Sequence, residues 1–264
     1  MSNKISSSLI VSTYNWPEAL DLVLLSILNQ TVFPIEVIIA DDGSTNKTKE
    51  LIEKYQKIFS VKLMHVWHED DGFRKTIILN EAYRIAQGDY IIQIDGDIIL
   101  NKYFIEDHLK NAKPGYFIKG SRGRLTETRS KLLLENRNIN LNAFTSGMQS
   151  RINATRLPFL RCLFYGKKVM SRKLKGCNFA VWKRDFVNVN GYNNDLTGWG
   201  HEDIELAARL NNNGVYTRQL KLTAVCFHIY HKINSRASES NNLAVYQKTI
   251  EEKIATCSNG FIRR

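Results

Sequence analysis

Two aspartates separated by one glycine, Asp95 and Asp97, follow an apolar run at residues 90–94. The run predicts a buried strand, which favours isoleucine and disfavours acidic residues. Carboxylates at the carboxyl end of such a strand suit a divalent cation that binds a phosphate, because open α/β sheets bind ligands at that edge. The motif alone also fits a polar turn. The rest of the chain must decide between these two interpretations.

Two more polar loops follow predicted strands. Thr13, Tyr14 and Asn15 come after the first strand, and Asp42 lies in residues 41–44 after the second. An aromatic ring can stack on a base, and a carboxylate can accept hydrogen bonds from a base or a ribose. Each loop has a structural explanation as well: Asn15 and Ser44 suit helix caps, and Tyr14 suits a packed ring. Since three such loops would meet at one sheet edge, we favour a nucleotide site.

An acidic pair, Glu202 and Asp203, lies at the start of a predicted helix, after Trp199 and two glycines. Acids at that position also complement the helix dipole. An aromatic ring beside acids is suited to a sugar, and one carboxylate could act as general base on an acceptor hydroxyl. Further on, His228 and His231 follow a late predicted strand. Either could simply cap the sheet edge, but beside a metal loop one becomes a plausible ligand for Mn²⁺ or Mg²⁺, with histidine favouring manganese.

The order of elements predicts the fold class. Strands are expected at residues 9–11, 35–40, 61–67 and 90–94. One helix is expected to start after Asn15, a second after Ser44, and a third is expected at 76–87. This βαβα alternation predicts an α/β protein with a mostly parallel, doubly wound sheet. Later elements are a helix at 102–111, strands at 116–119, 176–182 and 222–229, a helix that ends at Gly214, and a short helix near 243–254.

Composition narrows the class of protein. The 264 residues, 43% of them hydrophobic, can form one elaborated domain, and four scattered cysteines without a Cys-x-x-Cys pair fit thiols in a reducing cytosol. No signal peptide and no apolar run of roughly 18 residues is seen, so a cytoplasmic protein is expected. Residues 119–175 hold fourteen Lys or Arg against two acids within a net charge of +11. We predict that this basic insert is helical in two pieces. It could be a solvated surface, or it could bind anionic lipid, a polyanionic substrate or nucleic acid. The leucines and aromatic residues between its basic residues favour a face that contacts a membrane or an acceptor.

Taken together, the motifs resemble the inverting nucleotide-sugar glycosyltransferases of family 2, in the subgroup similar to the β-1,4-galactosyltransferases and bacterial chondroitin polymerases. The resemblance covers residues 9–231 and rests on four motifs in family order: Ser12-Thr13-Tyr14-Asn15, Asp41-Asp42-Gly43-Ser44, Ile94-Asp95-Gly96-Asp97 and Trp199-Gly200-His201-Glu202-Asp203. It implies a GT-A-like Rossmann-type αβα sandwich over residues 1–264. Within it, 1–100 would bind the nucleotide sugar, 101–231 would hold the acceptor and the catalytic groups, and 232–264 would form a tail.

The resemblance also implies roles for the donor-site residues. Tyr14 and Asp42 would lie by the uracil and ribose, and Arg74 would reach the base. Asp97 would be the main carboxylate on the metal, with Asp95 nearer the ribose or a metal-bound water. His228 would complete the metal site, with His231 as the alternative.

On the acceptor side, the resemblance implies that Asp203 deprotonates the acceptor hydroxyl and that Glu202 helps to hold the acceptor sugar, next to Trp199 and His201. The activity implied is metal-dependent, inverting transfer from a nucleotide diphosphate sugar, expected to be a UDP-sugar, to a saccharide or lipid-linked saccharide. Bacterial surface polysaccharide or lipopolysaccharide synthesis at the inner face of a membrane would fit, with no nucleic-acid partner. Alternatives are a non-catalytic sugar- or polyanion-binding module and a nucleotidyltransferase. The latter would need a phosphate loop rich in Gly and Lys or Arg after the first strand, which residues 13–17 lack.

Overall fold

The computed structural model describes residues 5–164, 174–232 and 239–262. The first hundred residues form β1 (Ser7–Thr13), α1 (Pro17–Leu28), β2 (Glu36–Asp41), α2 (Asn46–Gln56), β3 (Lys62–Trp67), α3 (Lys75–Ile85), β4 (Tyr90–Asp95) and β5 (Ile98–Leu100). The later elements are α4 (Phe104–Asn111), β6 (Tyr116–Lys119), β7 (Gly123–Leu125), α5 (Glu127–Asn136), β8 (Met148–Gln149), β9 (Asn178–Trp182), α6 (Lys183–Asn188), α7 (Glu202–Asn212), β10 (Tyr216–Gln219), β11 (Cys226–His228) and α8 (Glu239–Glu251). Short 3₁₀ helices span Arg151–Ala154 and Pro158–Phe164.

The main sheet has seven strands in the order β10-β6-β9-β4-β1-β2-β3. β1 pairs in parallel with both β2 and β4, and β2 with β3, whereas β9 runs antiparallel between β4 and β6. β2 and β4 lie on opposite sides of β1. The chain therefore adds β2 and β3 on one side of β1 and then crosses to its other side with β4. Ligands bind at such a switch point, beyond the carboxyl ends of the strands. The predicted mostly parallel α/β sheet is confirmed.

Alternating side chains of the strands form a core on each face of this sheet. Leu9 and Val11 of β1 pack with α1, α2 and α4 on one face, and Ile10 packs with α3, α6 and α7 on the other. All three β1 residues are fully buried. Successive side chains of a strand point to opposite faces of the sheet, and both faces here are apolar. Helices therefore cover both faces, which gives the three αβα layers.

A second sheet, in the order β5-β11-β7-β8, lies beside the first. β11 pairs antiparallel with β5 and parallel with β7. A third core, which includes Leu22 of α1, Leu133 of α5 and Phe227 of β11, covers one side of it. Because β5 directly follows Asp97, its pairing with β11 brings the residues after Asp97 next to His228.

Several sequence predictions are corrected in the second half. The basic insert at 119–175 is not helical in two pieces: its described part holds β7, α5, β8 and two 3₁₀ helices, and residues 165–173 lie outside the described residues. The strand predicted at 222–229 is shortened to Cys226–His228, because Leu222 and Ala224 have positive φ angles of 57° and 47° that break extended backbone. Neither α6 nor β10 was predicted. Among the described residues, no helix combines the length and apolarity needed to cross a membrane.

Candidate functional site

Backbone pairing brings the three polar loops together. Ser12 and Asp95 are register partners in β1 and β4, and the Gly96 amide donates to the Ser12 carbonyl at 2.6 Å. The Asp42 amide donates to the Thr13 carbonyl at 3.0 Å. A cavity of about 310 Å³ opens here, and its walls are formed by Ser12, Thr13, Tyr14, Trp16, Asp42, Phe73, Lys75, Asp95, Gly96, Asp97, Trp199, Glu202, His231 and Lys232.

Asp42 is held by two neighbours at one end of this pocket. Its Oδ1 lies 2.8 Å from Nε2 of His68, and its Oδ2 accepts from the Arg74 amide at 3.0 Å. Burial raises the pKa of Asp42, and the hydrogen bond to His68 opposes that rise. Tyr14 is half exposed and donates through its hydroxyl to Asp70 Oδ2 at 2.9 Å. The two residues that were expected beside the base and ribose therefore line one pocket.

Asn15 and Ser44 are not the helix caps that the sequence suggested. Trp16 and Thr45 occupy the N-cap positions of α1 and α2. Asn15, with a φ of 45°, accepts a hydrogen bond from the Thr45 amide through Oδ1 at 2.9 Å, and its own amide donates to Ser44 Oγ at 2.8 Å. These hydrogen bonds join the first polar loop to the second, instead of capping α1 and α2 as expected.

Arg74, expected to reach the base, is not among the described residues that form the walls of the cavity. It donates to the Glu69 carbonyl at 2.8 Å and pairs with Asp71 at 3.0 Å. The role of Arg74 in binding a base stays a prediction.

Asp97, His228 and His231 form the candidate metal centre. Each offers one ligand atom, and these atoms all lie within 4.8 Å of one another. Asp97 Oδ2 is 3.3 Å from Nε2 of His228 and 3.2 Å from Nε2 of His231. The sequence left open which histidine would join Asp97, and the structure brings both to it.

The residues at this centre fit a divalent cation. Oδ1 of Asp97 is buried and has no hydrogen-bond partner among the described residues, which is expected where a ligand supplies one. Burial raises the pKa of Asp97, but the hydrogen bonds of the two histidines outweigh it and hold that pKa well below its usual range. Nδ1 of His231 lies 2.7 Å from the Lys232 carbonyl, an arrangement that orients the ring with Nε2 toward Asp97, where it could serve as a metal ligand. Two imidazoles and a carboxylate suit Mn²⁺ well and accept Mg²⁺.

Asp95 has a different environment from Asp97. Its Oδ1 lies 2.7 Å from Nζ of Lys75 and accepts from Ser12 Oγ at 2.9 Å. Asp95 is not part of the three-residue cluster. The position expected for Asp95 near the ribose or a metal-bound water, and direct metal binding by Asp95, stay predictions. Lys75, the first residue of α3, was missed because nothing in its local spacing marks it.

The acidic pair lies at the start of α7, and its first member, Glu202, lines the cavity. Glu202 is buried and accepts through Oε2 from the Gly200 amide at 3.1 Å. Burial, and then the charge of Asp203, raise the pKa of Glu202 to about 7. Asp203 accepts from the Gly176 amide at 2.7 Å, and burial raises its pKa. A β-carbon at Gly176 would lie 2.5 Å from Asp203 Oδ1, so this close approach requires glycine.

Trp199 and His201 come just before the pair, and their expected contact with an acceptor stays a prediction. Trp199 lines the pocket. His201 is the N-cap of α7 with a φ of 72°, and its Nδ1 is buried without a hydrogen-bond partner in the described part of the chain. The helix behind is fixed by Arg209, fully buried, which binds Glu205 through two hydrogen bonds of 2.7 and 2.6 Å. Its Nη1 donates to the Val189 and Gly191 carbonyls. The acids therefore lie on a rigid support.

Comparison with known proteins gives two family matches. The model described as glycosyl transferase family 2 matches residues 8–174, and the one described as the N-terminal domain of galactosyltransferase matches residues 159–232. The first match covers more than half of the chain. The two together cover every residue discussed above at the pocket.

Curated relatives agree with these matches. Validoxylamine A glucosyltransferase of Streptomyces hygroscopicus subsp. limoneus is 27% identical over 222 residues, which cover 79% of this chain and 48% of the relative. Chondroitin synthase of Escherichia coli is 25% identical over 244 residues, covering 84% of this chain and 34% of the relative. The chain thus spans about half the length of these relatives, or less.

A solved structure shares the fold. A mannosyltransferase from Pyrobaculum calidifontis in complex with GDP-Man and Mn²⁺ superposes with a TM-score of 0.66 over 95% of this chain and 65% of its own, at 18% identity.

Proposed function

Because the chain belongs to glycosyl transferase family 2 and has its GT-A fold, we propose that it is a metal-dependent, inverting glycosyltransferase that moves a sugar from a nucleotide diphosphate sugar to a saccharide hydroxyl. The observation that carries this proposal is the pocket itself. One cavity contains Tyr14 and Asp42, which suit a nucleotide, and Asp97 of the three-ligand cluster. It also contains the acidic residue Glu202, whose pKa is raised.

On the donor side, Tyr14 and Asp42 would bind the base and ribose, with His68 holding the Asp42 carboxylate in place. Asp97, His228 and His231 would hold the metal ion, whose charge would offset the negative charge that develops on the departing diphosphate. Thr13 and Asn15 shape the loop above this site through their bonds to the neighbouring loops. Asp95 would stay with Lys75 and orient the metal loop.

On the acceptor side, Asp203 would take the proton from the acceptor hydroxyl. The acceptor oxygen would then bond to the anomeric carbon as the bond from that carbon to the diphosphate oxygen breaks on the opposite face, which inverts the configuration. Glu202 would hold the acceptor by hydrogen bonds, and Trp199 would pack on the sugar ring. A raised pKa makes Asp203 a stronger base than an ordinary aspartate, as general-base catalysis near neutral pH requires.

We further propose a UDP-sugar as donor, since Tyr14 and Asp42 occupy the positions that the sequence resemblance gives to uracil and ribose recognition. A thermal-shift screen of UDP- and GDP-sugars with and without Mn²⁺ or Mg²⁺ tests donor and metal together, because a ligand that binds only the folded state raises Tm. A UDP-sugar should stabilise the protein more in the presence of Mn²⁺. Stabilisation by GDP-sugars alone would contradict the choice of donor.

Transfer itself is tested by incubating the best donor with saccharide acceptors and following release of the nucleoside diphosphate. Formation of a β-linked product from an α-linked donor is expected, and an α-linked product would contradict inversion. Bacterial surface polysaccharide or lipopolysaccharide synthesis, the division of the chain at residues 100 and 231, and contact of the basic insert with an anionic membrane are parts of the same proposal.

A further inference from the structure

We propose that Asn242 of α8 is a positioning residue that holds the loop of Trp199, residues 197–201, in place for the acceptor sugar. The inference rests on the proposed glycosyltransferase function and adds α8 to its acceptor side. The two family matches end at residues 174 and 232, before α8 begins, so the family resemblance gives this helix no role.

One carboxamide joins α8 to the loop on both sides of Trp199. Asn242 is only 3% exposed, and its Nδ2 donates to the Thr197 carbonyl at 3.2 Å and to the Gly200 carbonyl at 2.9 Å. These two bonds use both hydrogens of the Nδ2 group. Trp199 lies between the two carbonyls in the chain and lines the cavity. The position of the Trp199 backbone therefore depends on a side chain from outside the loop.

The backbone of this loop cannot be held by a helix or a strand. Gly198, Gly200 and His201 have positive φ angles of 75°, 112° and 72°, which regular elements do not contain. The shape of the loop must come from contacts with neighbouring elements. Asn242 provides two such contacts, and a loop that loses both is expected to populate other conformations as well.

α8 is itself fixed to the helix that carries the acidic pair. Thr249 lies seven residues after Asn242, two turns along the same face of α8. Its Oγ1 donates to Glu205 Oε1 at 3.3 Å, and its carbonyl accepts from Asn212 Nδ2 at 3.1 Å. Both partners belong to α7, and Glu205 is also paired with Arg209. Asn242 therefore ties the loop to the same support that carries the acids.

The expected kinetic effect is on the acceptor. In Asn242→Ala, Trp199 should occupy its sugar-binding position for a smaller fraction of the time, which lowers the apparent affinity for the acceptor by that fraction. Because a typical hydrogen bond changes an equilibrium constant about fivefold, the acceptor KM should rise at least about fivefold. Since α7 is fixed separately, kcat and the donor KM should stay within about twofold of wild type. A purely structural loss would instead lower kcat through the amount of active enzyme, with the acceptor KM unchanged.

Two variants and two matched controls define the measurement. Asn242→Asp keeps the shape of the side chain, but its carboxylate cannot donate to either carbonyl, so it should also raise the acceptor KM. Asn241→Ala and Asn241→Asp make the same changes at the exposed neighbouring position of α8 and should behave as wild type. The acceptors are para-nitrophenyl glycosides, and the donor is the UDP-sugar that raises Tm most. If Tm shows that one Asn242 variant does not fold, the other variant decides.

A second measurement separates this inference from the proposed function. Protein labelled with fluorotryptophan has a ¹⁹F resonance for each of its four tryptophans, and Trp199→Phe assigns the resonance of Trp199. Without substrate, that resonance should shift or broaden in Asn242→Ala and stay in place in Asn241→Ala. The resonance of Trp182 is the internal reference, because Trp182 packs on Tyr90 at the opposite end of β4.

The two measurements have distinct outcomes. A Trp199 resonance that does not change in the Asn242 variants refutes the positioning role even if sugar transfer is observed. A changed resonance with an acceptor KM at the wild-type value, or an equal rise of KM in the Asn241 variants, overturns the link to the acceptor. If wild-type protein transfers no sugar, the proposed function fails, and the Trp199 resonance alone decides whether Asn242 holds the loop.

Discussion

At the scale of single residues, Asp97 and its two histidines form the proposed metal site. We expect Asp97→Asn to lower Mn²⁺ affinity at least about a hundredfold, since losing an outer partner of a ligand already costs 10–100-fold. Isothermal titration calorimetry measures it. Asp89→Asn is the matched control, because Asp89 precedes the same strand at its opposite end and binds Ser6. Equal Mn²⁺ affinity in wild type and Asp97→Asn would remove Asp97 from the metal site.

Asp203 gives a second prediction at this scale. Asp203→Asn keeps the shape of the side chain but cannot take a proton, so kcat should fall by about 10²–10⁴-fold. Donor affinity, measured by thermal shift, should stay within about twofold. Glu202→Gln should instead raise the KM for the acceptor. If Asp203→Asn keeps most of the turnover, another group is the base.

Sequence reasoning found the residues that lie in short motifs and missed those that act across the fold. Asp97 and the Glu202-Asp203 pair could be predicted because strand ends and helix starts concentrate polar groups at one sheet edge. Lys75 could not, because its contact with Asp95 depends on how α3 packs beside β4. Asn15 was interpreted as a helix cap, but its Oδ1 accepts a hydrogen bond from the Thr45 amide in the next loop. The sequence does not separate these two cases, because both use the same side-chain oxygen.

At the scale of elements, α7 is held by a buried ion pair. Arg209→Met should lower the free energy of unfolding by about 3–5 kcal/mol, because it leaves Glu205 as an uncompensated buried charge. The double variant Glu205→Met, Arg209→Met should recover part of that loss. Chemical denaturation measures all three proteins.

The control for this prediction is the exposed pair of Lys49 and Glu53 at 4.0 Å, whose side chains are 63% and 54% exposed. Lys49→Met should change stability by no more than about 0.5 kcal/mol. A loss below about 1 kcal/mol in Arg209→Met would show that the buried pair does not stabilise α7.

The elements themselves were predictable to different degrees. The first four strands have clear apolar runs, and the structure places them within about two residues of the predicted ends. The basic insert was misassigned because its strands are two or three residues long and pair only with distant partners, so no local period identifies them. The backbone turns at Leu222 and Ala224 likewise come from the tertiary fold, since both residue types suit a strand or helix.

At the scale of the whole molecule, the described part of the basic insert presents apolar side chains to solvent. Phe144 and Ile152 are 89% and 70% exposed. Arg151, next to Ile152, donates to the carbonyl of Ala143, next to Phe144, at 3.0 Å. If this surface contacts a membrane, the protein should cosediment with phosphatidylglycerol vesicles at low salt and much less with phosphatidylcholine vesicles. The variant Phe144→Ser, Ile152→Ser should weaken binding at least about tenfold.

Ile58→Ser is the control for that experiment, because Ile58 is 61% exposed just beyond α2 and outside the insert. It should leave vesicle binding unchanged. Complete absence of binding to anionic vesicles at low salt would contradict a membrane role for the insert.

The pairing of β5 with β11 has a consequence for the entropy of ion binding at the proposed metal site. Ile98 and His228 are register partners, and the Ile229 amide donates to the Asp97 carbonyl at 3.0 Å, so the two segments that carry the ligands are already joined by backbone hydrogen bonds. The conformational entropy lost in closing the long loop between Asp97 and His228 is therefore lost during folding, and it does not weaken the affinity for the ion. Removing metal with a chelator should therefore leave the far-ultraviolet circular dichroism unchanged and lower Tm only as far as mass action requires.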